Sequence, residues 1–301
     1  MWLADEDNNK CGISGGNSGT EKQVLFEMLY DITDRSSRAM ISDITIINGH
    51  GKTGEKEPVE RIHLKMGDVV SIVGPTGSGK TTFINDIELF ANANTPTGRR
   101  ILINGESPPD EYRCNPALNP IALITQHTTF LSDLPVKEFL LTHARIRTTD
   151  HSQIDELVKE TLSFANQLTG EPIHVRSRMT ELSGGQTRAL LIADATIICN
   201  TPIVLLDEVE NAGIHRTRAL ELLRAYRKIF IFVTHDPRIA LLSDFRIVMK
   251  QGKVVQILGR DEEEQKFAVR VSRLDELLCT WRDKIRHGER LTGNLTTESL
   301  I

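Results

Sequence analysis

One stretch of the chain dictates its own surroundings. Residues 74–82 read Gly74-Pro75-Thr76-Gly77-Ser78-Gly79-Lys80-Thr81-Thr82, a match to G-x-x-x-x-G-K-[ST]. Just ahead of it lies the run Val69 to Val73, short and apolar apart from Ser71, which suits a buried parallel strand. A helix is expected to follow, from Lys80 to about Ala93. Strand, glycine-rich turn and helix form the setting in which successive backbone N–H groups turn inward on phosphates. The helix N-terminus adds a favourable dipole. On this reading residues 74–82 cradle the phosphates of a nucleotide. Lys80 reaches the β- and γ-phosphates, and the Thr81 hydroxyl ligates Mg²⁺.

The rest of the composition narrows the class. The chain has 301 residues, 39% of them hydrophobic and 26% charged, which suits a globular protein of one large or two ordinary domains. A formal net charge of −5 argues against a strongly basic nucleic-acid binder, so no nucleic-acid partner is expected. No run reaches 18 uncharged apolar residues, and the acidic start of the chain has no apolar h-region; neither a membrane span nor a secretory signal is expected. Cys11, Cys114, Cys199 and Cys279 are far apart, with no metal spacing and no disulfide framework, as for free thiols in a reducing cytoplasm.

Along the chain, residues 1–21 read as a disordered tail rich in Asn, Gly, Ser and Asp. Residues 22–40 hold an extra helix, with Val24, Leu25, Met28, Leu29 and Ile32 on one face. Strands are expected over 41–47, 59–64, 69–73, 100–103, 121–124, 203–206 and 229–233, with a further pair within 245–257. Helices are expected over 136–147, 155–168, 183–199 and 215–226. A charged helix spans 262–286 within a C-terminal segment, 261–301. Strands alternating with helices imply a parallel α/β core.

Four further elements carry chemistry. Residues 203–208 read Ile-Val-Leu-Leu-Asp-Glu, an apolar strand that delivers Asp207 to the sheet edge where ligands bind. Asp207 is placed to hold Mg²⁺ through water, and Glu208 to polarise an attacking water. Leu182-Ser183-Gly184-Gly185-Gln186 opens a helix, offering a hydroxyl and closely approachable N–H groups to an anion. The phosphate cradle is already complete, so this second anion site suggests that it serves a nucleotide held by another copy. Gln126 and His235 each follow a strand.

In this order the five elements resemble the nucleotide-binding domain of ABC (ATP-binding cassette) ATPases, over about residues 41–260. Residues 74–82 look like the Walker A motif, Gln126 the Q-loop, residues 182–186 the signature motif, residues 203–208 Walker B and His235 the switch histidine. The resemblance implies an α/β fold: a P-loop NTPase (RecA-like) core with an antiparallel β-subdomain and an inserted α-helical subdomain, about 127–182. It implies ATP hydrolysis with Mg²⁺ held by Thr81, Gln126 and Asp207. Glu208, His235 and Gln126 are then the catalytic group. It also implies head-to-tail dimerisation with a second ABC subunit, identical or different. Ser183, Gly184, Gly185 and Gln186 would then contact the partner's ATP in trans. The chain departs from the family at Val209, where Pro is usual, and over 210–214, where Glu-Asn-Ala-Gly-Ile replaces Ser-Ala-Leu-Asp. The aromatic residue that stacks on adenine is replaced by His50, which suits either a weak stack on ATP or a solvated loop.

Two kinds of partner stay open. The first is a set of separate membrane permease subunits, making the chain the cytoplasmic ATPase of a transporter at the inner face of a membrane. Phe130 and Leu131 suit either docking to them or the core. The second is a soluble protein or enzyme complex that the ATPase remodels. The extra helix, the altered 210–214 loop and His50 favour this second reading modestly.

Overall fold

The computed structural model describes residues 40–116, 118–148, 150–208 and 216–291. The expected helix within 22–40, the tails and the unusual 209–214 segment lie outside the described residues.

Two sheets organise the chain. β1 (Asp43–Ile47), β2 (Arg61–Lys65) and β4 (Arg100–Ile103) form an antiparallel sheet in the order β2-β1-β4. The second sheet runs β5-β6-β7-β3-β8-β9. In it β3 (Val69–Val73), β5 (Ile121–Ile124), β6 (Ile203–Asp207), β7 (Ile229–Val233) and β8 (Phe245–Lys250) are parallel, and β9 (Lys253–Gly259) returns antiparallel. The helices are α1 (Lys80–Glu88), α2 (Glu111–Cys114), α3 (Val136–Arg147), α4 (Ile154–Leu168), α5 (Gly184–Thr196), α6 (Arg216–Ala225), α7 (Pro237–Leu242) and α8 (Glu262–Arg286).

β6 and β7 are apolar at nearly every position because both faces of their sheet are covered. Side chains alternate across a strand, so each strand feeds two cores. Val204, Leu206, Phe230 and Phe232 join the core shared with α3, α4, α5, α6 and α7. Ile203, Leu205, Ile229 and Ile231 join Phe83, Ile84 and Ile87 of α1 and the antiparallel sheet on the opposite face. Each such side chain, fully buried, contributes about 1.5–3 kcal/mol.

Where elements end differs in places from the sequence reading. α1 stops at Glu88 rather than near Ala93, since Phe90 (φ 49°) and Ala93 (φ 57°) take left-handed conformations. The turn at Phe90 buries its ring 6.0 Å from that of Tyr112. α7 was not anticipated, although Asp236 caps it by accepting from the Arg238 N–H at 2.8 Å and Pro237 fits its first turn.

A buried ionic network ties the two sheets to α1. Arg99, fully buried, donates from Nη2 to Glu57 Oε1 (2.6 Å) and the Gly252 carbonyl (2.7 Å), and from Nη1 to Asp86 Oδ2 (2.8 Å). Glu57 also accepts from the N–H groups of Gly49 (2.9 Å) and Val254 (2.7 Å). Burial pushes the Glu57 carboxyl up, but Arg99 and these N–H groups prevail and hold it below its ordinary value.

Candidate functional site

The phosphate loop hangs between the C-terminal end of β3 and the start of α1. Its backbone needs glycine. Gly74 has φ 156°, and a Cβ there would lie 2.4 Å from the Met249 carbonyl oxygen. Gly79, at φ 100°, precedes α1 without any side-chain cap, and a Cβ there would lie 2.9 Å from Gly252 Cα. The first-turn N–H groups of α1 therefore stay available to an anion. Pro75, Thr76, Gly77, Thr81 and Thr82 are exposed along this loop and first turn. Ser78 is buried, and its Oγ has no hydrogen-bond partner. Lys80 curls back, its Nζ donating to the carbonyls of Gly74 (2.9 Å) and Pro75 (3.3 Å).

Sheet register brings the other strand-end residues to the same edge. Ile124 pairs with Leu206, Asp207 with Val233, and Val233 with Ile72. Gln126, Asp207, Glu208, His235 and the phosphate loop thus lie at or just beyond the ends of four adjacent parallel strands. This is the side on which open α/β sheets bind ligands. Glu208 is a non-glycine residue at φ 49°, a conformation that costs about 1–3 kcal/mol. Its N–H donates to the Val233 carbonyl at 3.0 Å, and its Oε1 lies 3.6 Å from His235 Nε2.

Thr81, Gln126 and Asp207 offer a hydroxyl, an amide carbonyl and a carboxylate. All are hard oxygen donors, and their chemistry fits Mg²⁺. Gln126 is exposed, and its backbone carbonyl accepts from Arg188 Nη2 at 2.6 Å. Arg188 lies in α5, so the loop after β5 is tied to the helix that Ser183 caps.

Residues 183–186 sit away from the phosphate loop of their own chain. α5 packs in the core on the opposite face of the sheet from α1. No hydrogen bond joins residues 183–186 to residues 74–82 among the described residues. Ser183 and Gly184 are exposed. Ser183 and Gln186 cap each other: Ser183 N–H donates to Gln186 Oε1 (2.9 Å), and Gln186 N–H donates to Ser183 Oγ (3.3 Å). Gln186 Nε2 donates to the Pro172 carbonyl at 3.1 Å, so this side chain holds the loop in shape.

The His50 ring packs over Gly98, where an added Cβ would come within 3.1 Å of Nδ1, and the His50 N–H donates to the Thr97 carbonyl at 2.7 Å. Phe130 and Leu131 part company. Phe130 packs on the core, its ring 5.0 Å from Phe139, while Leu131 is fully exposed. Sequence reasoning missed Lys52, whose Nζ donates to the Gly77 carbonyl at 2.8 Å and adds a second cation at the loop. Its signal was the Gly/Lys-rich stretch 49–57, read only as a turn.

Comparison with known proteins agrees with this geometry. The family model described as ABC transporter matches residues 60–211. An uncharacterized ABC transporter ATP-binding protein of Methanocaldococcus jannaschii is 48% identical over 252 residues, which is 84% of this chain and 95% of that one. The spermidine/putrescine import ATP-binding protein PotA of Fusobacterium nucleatum is 32% identical over 71% of this chain. The chain spans 57% of the length of that relative. Among solved structures, cbiO1 from Clostridium perfringens, part of the ABC transporter complex cbiONQ, matches with a TM-score of 0.57. The match has 22% identity and covers 79% of this chain and 99% of that one. The chain belongs to the ABC transporter family as an ATP-binding subunit and ATPase. No helix among the described residues is long and apolar enough to cross a membrane.

Proposed function

We propose that this chain hydrolyses ATP in a composite site formed by two subunits and passes the resulting closure to separate membrane permease subunits at the cytoplasmic face. The observation that carries the reading is the position of residues 183–186. They form an exposed helix start, already shaped by its own cap, on the far face of the sheet from the phosphate loop. A partner's γ-phosphate fits such a site; the chain's own does not reach it.

Within one site the roles divide by chemistry. The backbone of residues 74–79, Lys80 and Thr82 bind and orient the phosphates. Thr81, Gln126 and Asp207 would hold Mg²⁺, which when bound neutralises charge on the β- and γ-phosphates. Glu208 accepts a proton from the attacking water and aims it along the line of the phosphate. His235 donates toward the γ-phosphate oxygens. The partner's Ser183, Gly184 and Gly185 close the far side and exclude bulk water, while Gln186 keeps them in shape. His50 borders the base end of the site.

Leu131 supports membrane coupling. It stands fully exposed five residues before the start of α3, in the segment that begins at Gln126. An apolar residue on that segment suits a short helix of a membrane subunit.

The test is to purify the tagged chain from membrane and soluble fractions and to follow turnover against its concentration. Co-purification with a multi-span protein, and turnover rising more than linearly with concentration, support the proposal. Activity strictly proportional to concentration in the monomer range contradicts the composite site. Exclusive recovery with soluble proteins favours a remodelling ATPase instead.

A further inference from the structure

A second group of ligating side chains lies on the opposite face of the sheet from the phosphate loop. His143 projects from the C-terminal half of α3, Asp194 from the last turn of α5, and Cys199 follows α5 closely. His143 Nδ1 is 2.8 Å from Asp194 Oδ1, and Cys199 Sγ is 3.7 Å from Asp194 Oδ2. One donor atom from each of the three lies within 4.8 Å of the others. The side chains are sheltered, with Asp194 10% and His143 22% exposed, and Cys199 is partly buried. α3 and α5 otherwise send Leu140, Ala144, Leu190 and Ala193 into this core, so a carboxylate, an imidazole and a thiol meeting there is a departure from its chemistry.

We propose that His143, Asp194 and Cys199 bind one divalent cation of the borderline class, with Zn²⁺ the best fit. A thiolate and an imidazole select for zinc-like ions and against Mg²⁺ or Ca²⁺. Ligand atoms around a tetrahedral zinc stand about 3.3–3.8 Å apart. The thiol's 3.7 Å contact is to the other carboxylate oxygen, Oδ2, so Cys199 must also rotate to share an ion with Oδ1, and one donor atom from each residue already lies within 4.8 Å of the others. The imidazole and carboxylate must open by about 0.5 Å, within reach of side-chain rotation. The metal replaces the proton now shared by Nδ1 and Oδ1, and the thiol loses its own; both leave to solvent.

Nδ1 ligation puts the remaining imidazole proton on Nε2, which Arg147 Nε approaches at 3.4 Å. Arg147, near the exposed end of α3, then turns toward water. The partly open side of the cluster leaves the fourth position to a water molecule. Because α3 lies downstream of Gln126 and α5 is capped by Ser183, the ion would pin together the two helices that flank the transmitting loops. The sequence reading found no metal spacing because it compared cysteines only with one another; the other two ligands are Asp194 and a distant histidine.

The test uses the full chain, stripped of metal and nucleotide, titrated with Zn²⁺ alone against a chromogenic chelator and with Co²⁺ alone. The expected result is one equivalent of zinc, with affinity falling at least about 10-fold in both Cys199→Ser and His143→Gln. Zinc should raise the melting temperature of the wild type and not of these variants. The cobalt form should show a thiolate-to-metal band that disappears in Cys199→Ser and persists in Cys114→Ser and Cys279→Ser. No stoichiometric zinc, affinity unchanged in both variants, or a cobalt spectrum without a Cys199-dependent band overturns the proposal. Should His143→Gln fail to fold, the near-isosteric Cys199→Ser and the wild-type cobalt spectrum decide it. ATP hydrolysis does not enter these readouts, so the outcome is independent of the function proposed above.

Discussion

His235 Nε2 stands 3.6 Å from Glu208 Oε1, each reaching past the end of its strand, with side chains 48% and 36% exposed. The pair sits where adjacent strands β7 and β6 end, beside the phosphate loop that follows β3. A carboxylate aimed at a water and an imidazole aimed at a phosphate oxygen would have to occupy neighbouring positions of this kind. His235→Ala should lower kcat by about 10²–10³-fold, the usual effect of deleting one donor to a developing charge. ATP affinity should change only a few-fold, measured by equilibrium binding. Near-normal kcat would remove His235 from the reaction.

Lys80→Ala deletes the cation held over the loop by the carbonyls of Gly74 and Pro75. A charge-assisted hydrogen bond contributes about 1.5–3 kcal/mol, so MgATP affinity should fall about 10- to 150-fold. Lys52 remains at Gly77, so some binding should survive. Unchanged affinity in a fluorescence titration would mean that the nucleotide binds elsewhere.

Arg99→Met leaves Glu57 and Asp86 buried without their cation. Breaking a buried pair from one side costs about 3–5 kcal/mol, and urea unfolding should show a loss of that size at neutral pH. The pH dependence has a definite sign. Glu57 is held below its ordinary value of 4.5, so its contribution is full above that value and is lost as pH falls through the lower, folded-state value. The gap between wild type and variant should therefore narrow on acidification below about pH 4.5. A variant as stable as wild type would show that the network contributes nothing net.

What the sequence made legible were the parts whose chemistry is local. The loop 74–79 announces itself because left-handed backbone and close approach to Met249 and Gly252 demand glycine in a fixed pattern. Asp207 and Glu208 stand out because a strand buried on both faces has no other reason to end in two acids. Ser183 signals a helix start through its own capping preference. The Arg99 network was hidden, since Glu57, Asp86 and Arg99 meet only when β4 and α1 pack beside the 49–57 loop. The tie from Arg188 to the Gln126 carbonyl spans 62 residues and involves a backbone atom, which no motif records. The early end of α1 was hidden for another reason. The pull of Phe90 into the core overrides a helical pattern that propensity alone would continue.

Ser183→Arg tests the composite site from the other side. The long side chain would fill the space assigned to the partner's γ-phosphate. The subunit's own loop, on the opposite face of the sheet, should bind ATP as before. Hydrolysis should be abolished while the nucleotide affinity of the monomer stays within about two-fold, since the substitution touches none of the loop's own contacts. A variant that still turns over ATP would place residues 183–186 outside the site.

The most direct measurement is sizing chromatography of Glu208→Gln with MgATP. The change keeps size and hydrogen-bonding capacity and removes the carboxylate that activates water, so hydrolysis should slow by about 10²–10⁴-fold. The phosphate loop, Asp207 and residues 183–186 are untouched, and losing a negative charge near the γ-phosphate favours the ATP-bound form. Closure without hydrolysis should trap two subunits around ATP. The variant should elute as a dimer with plain MgATP, while the wild type elutes largely as a monomer unless given slowly hydrolysed ATP or ATP without Mg²⁺. A variant that hydrolyses ATP at the wild-type rate, or one that binds ATP without hydrolysing it and still elutes as a monomer, would contradict a composite site built from two copies of this chain.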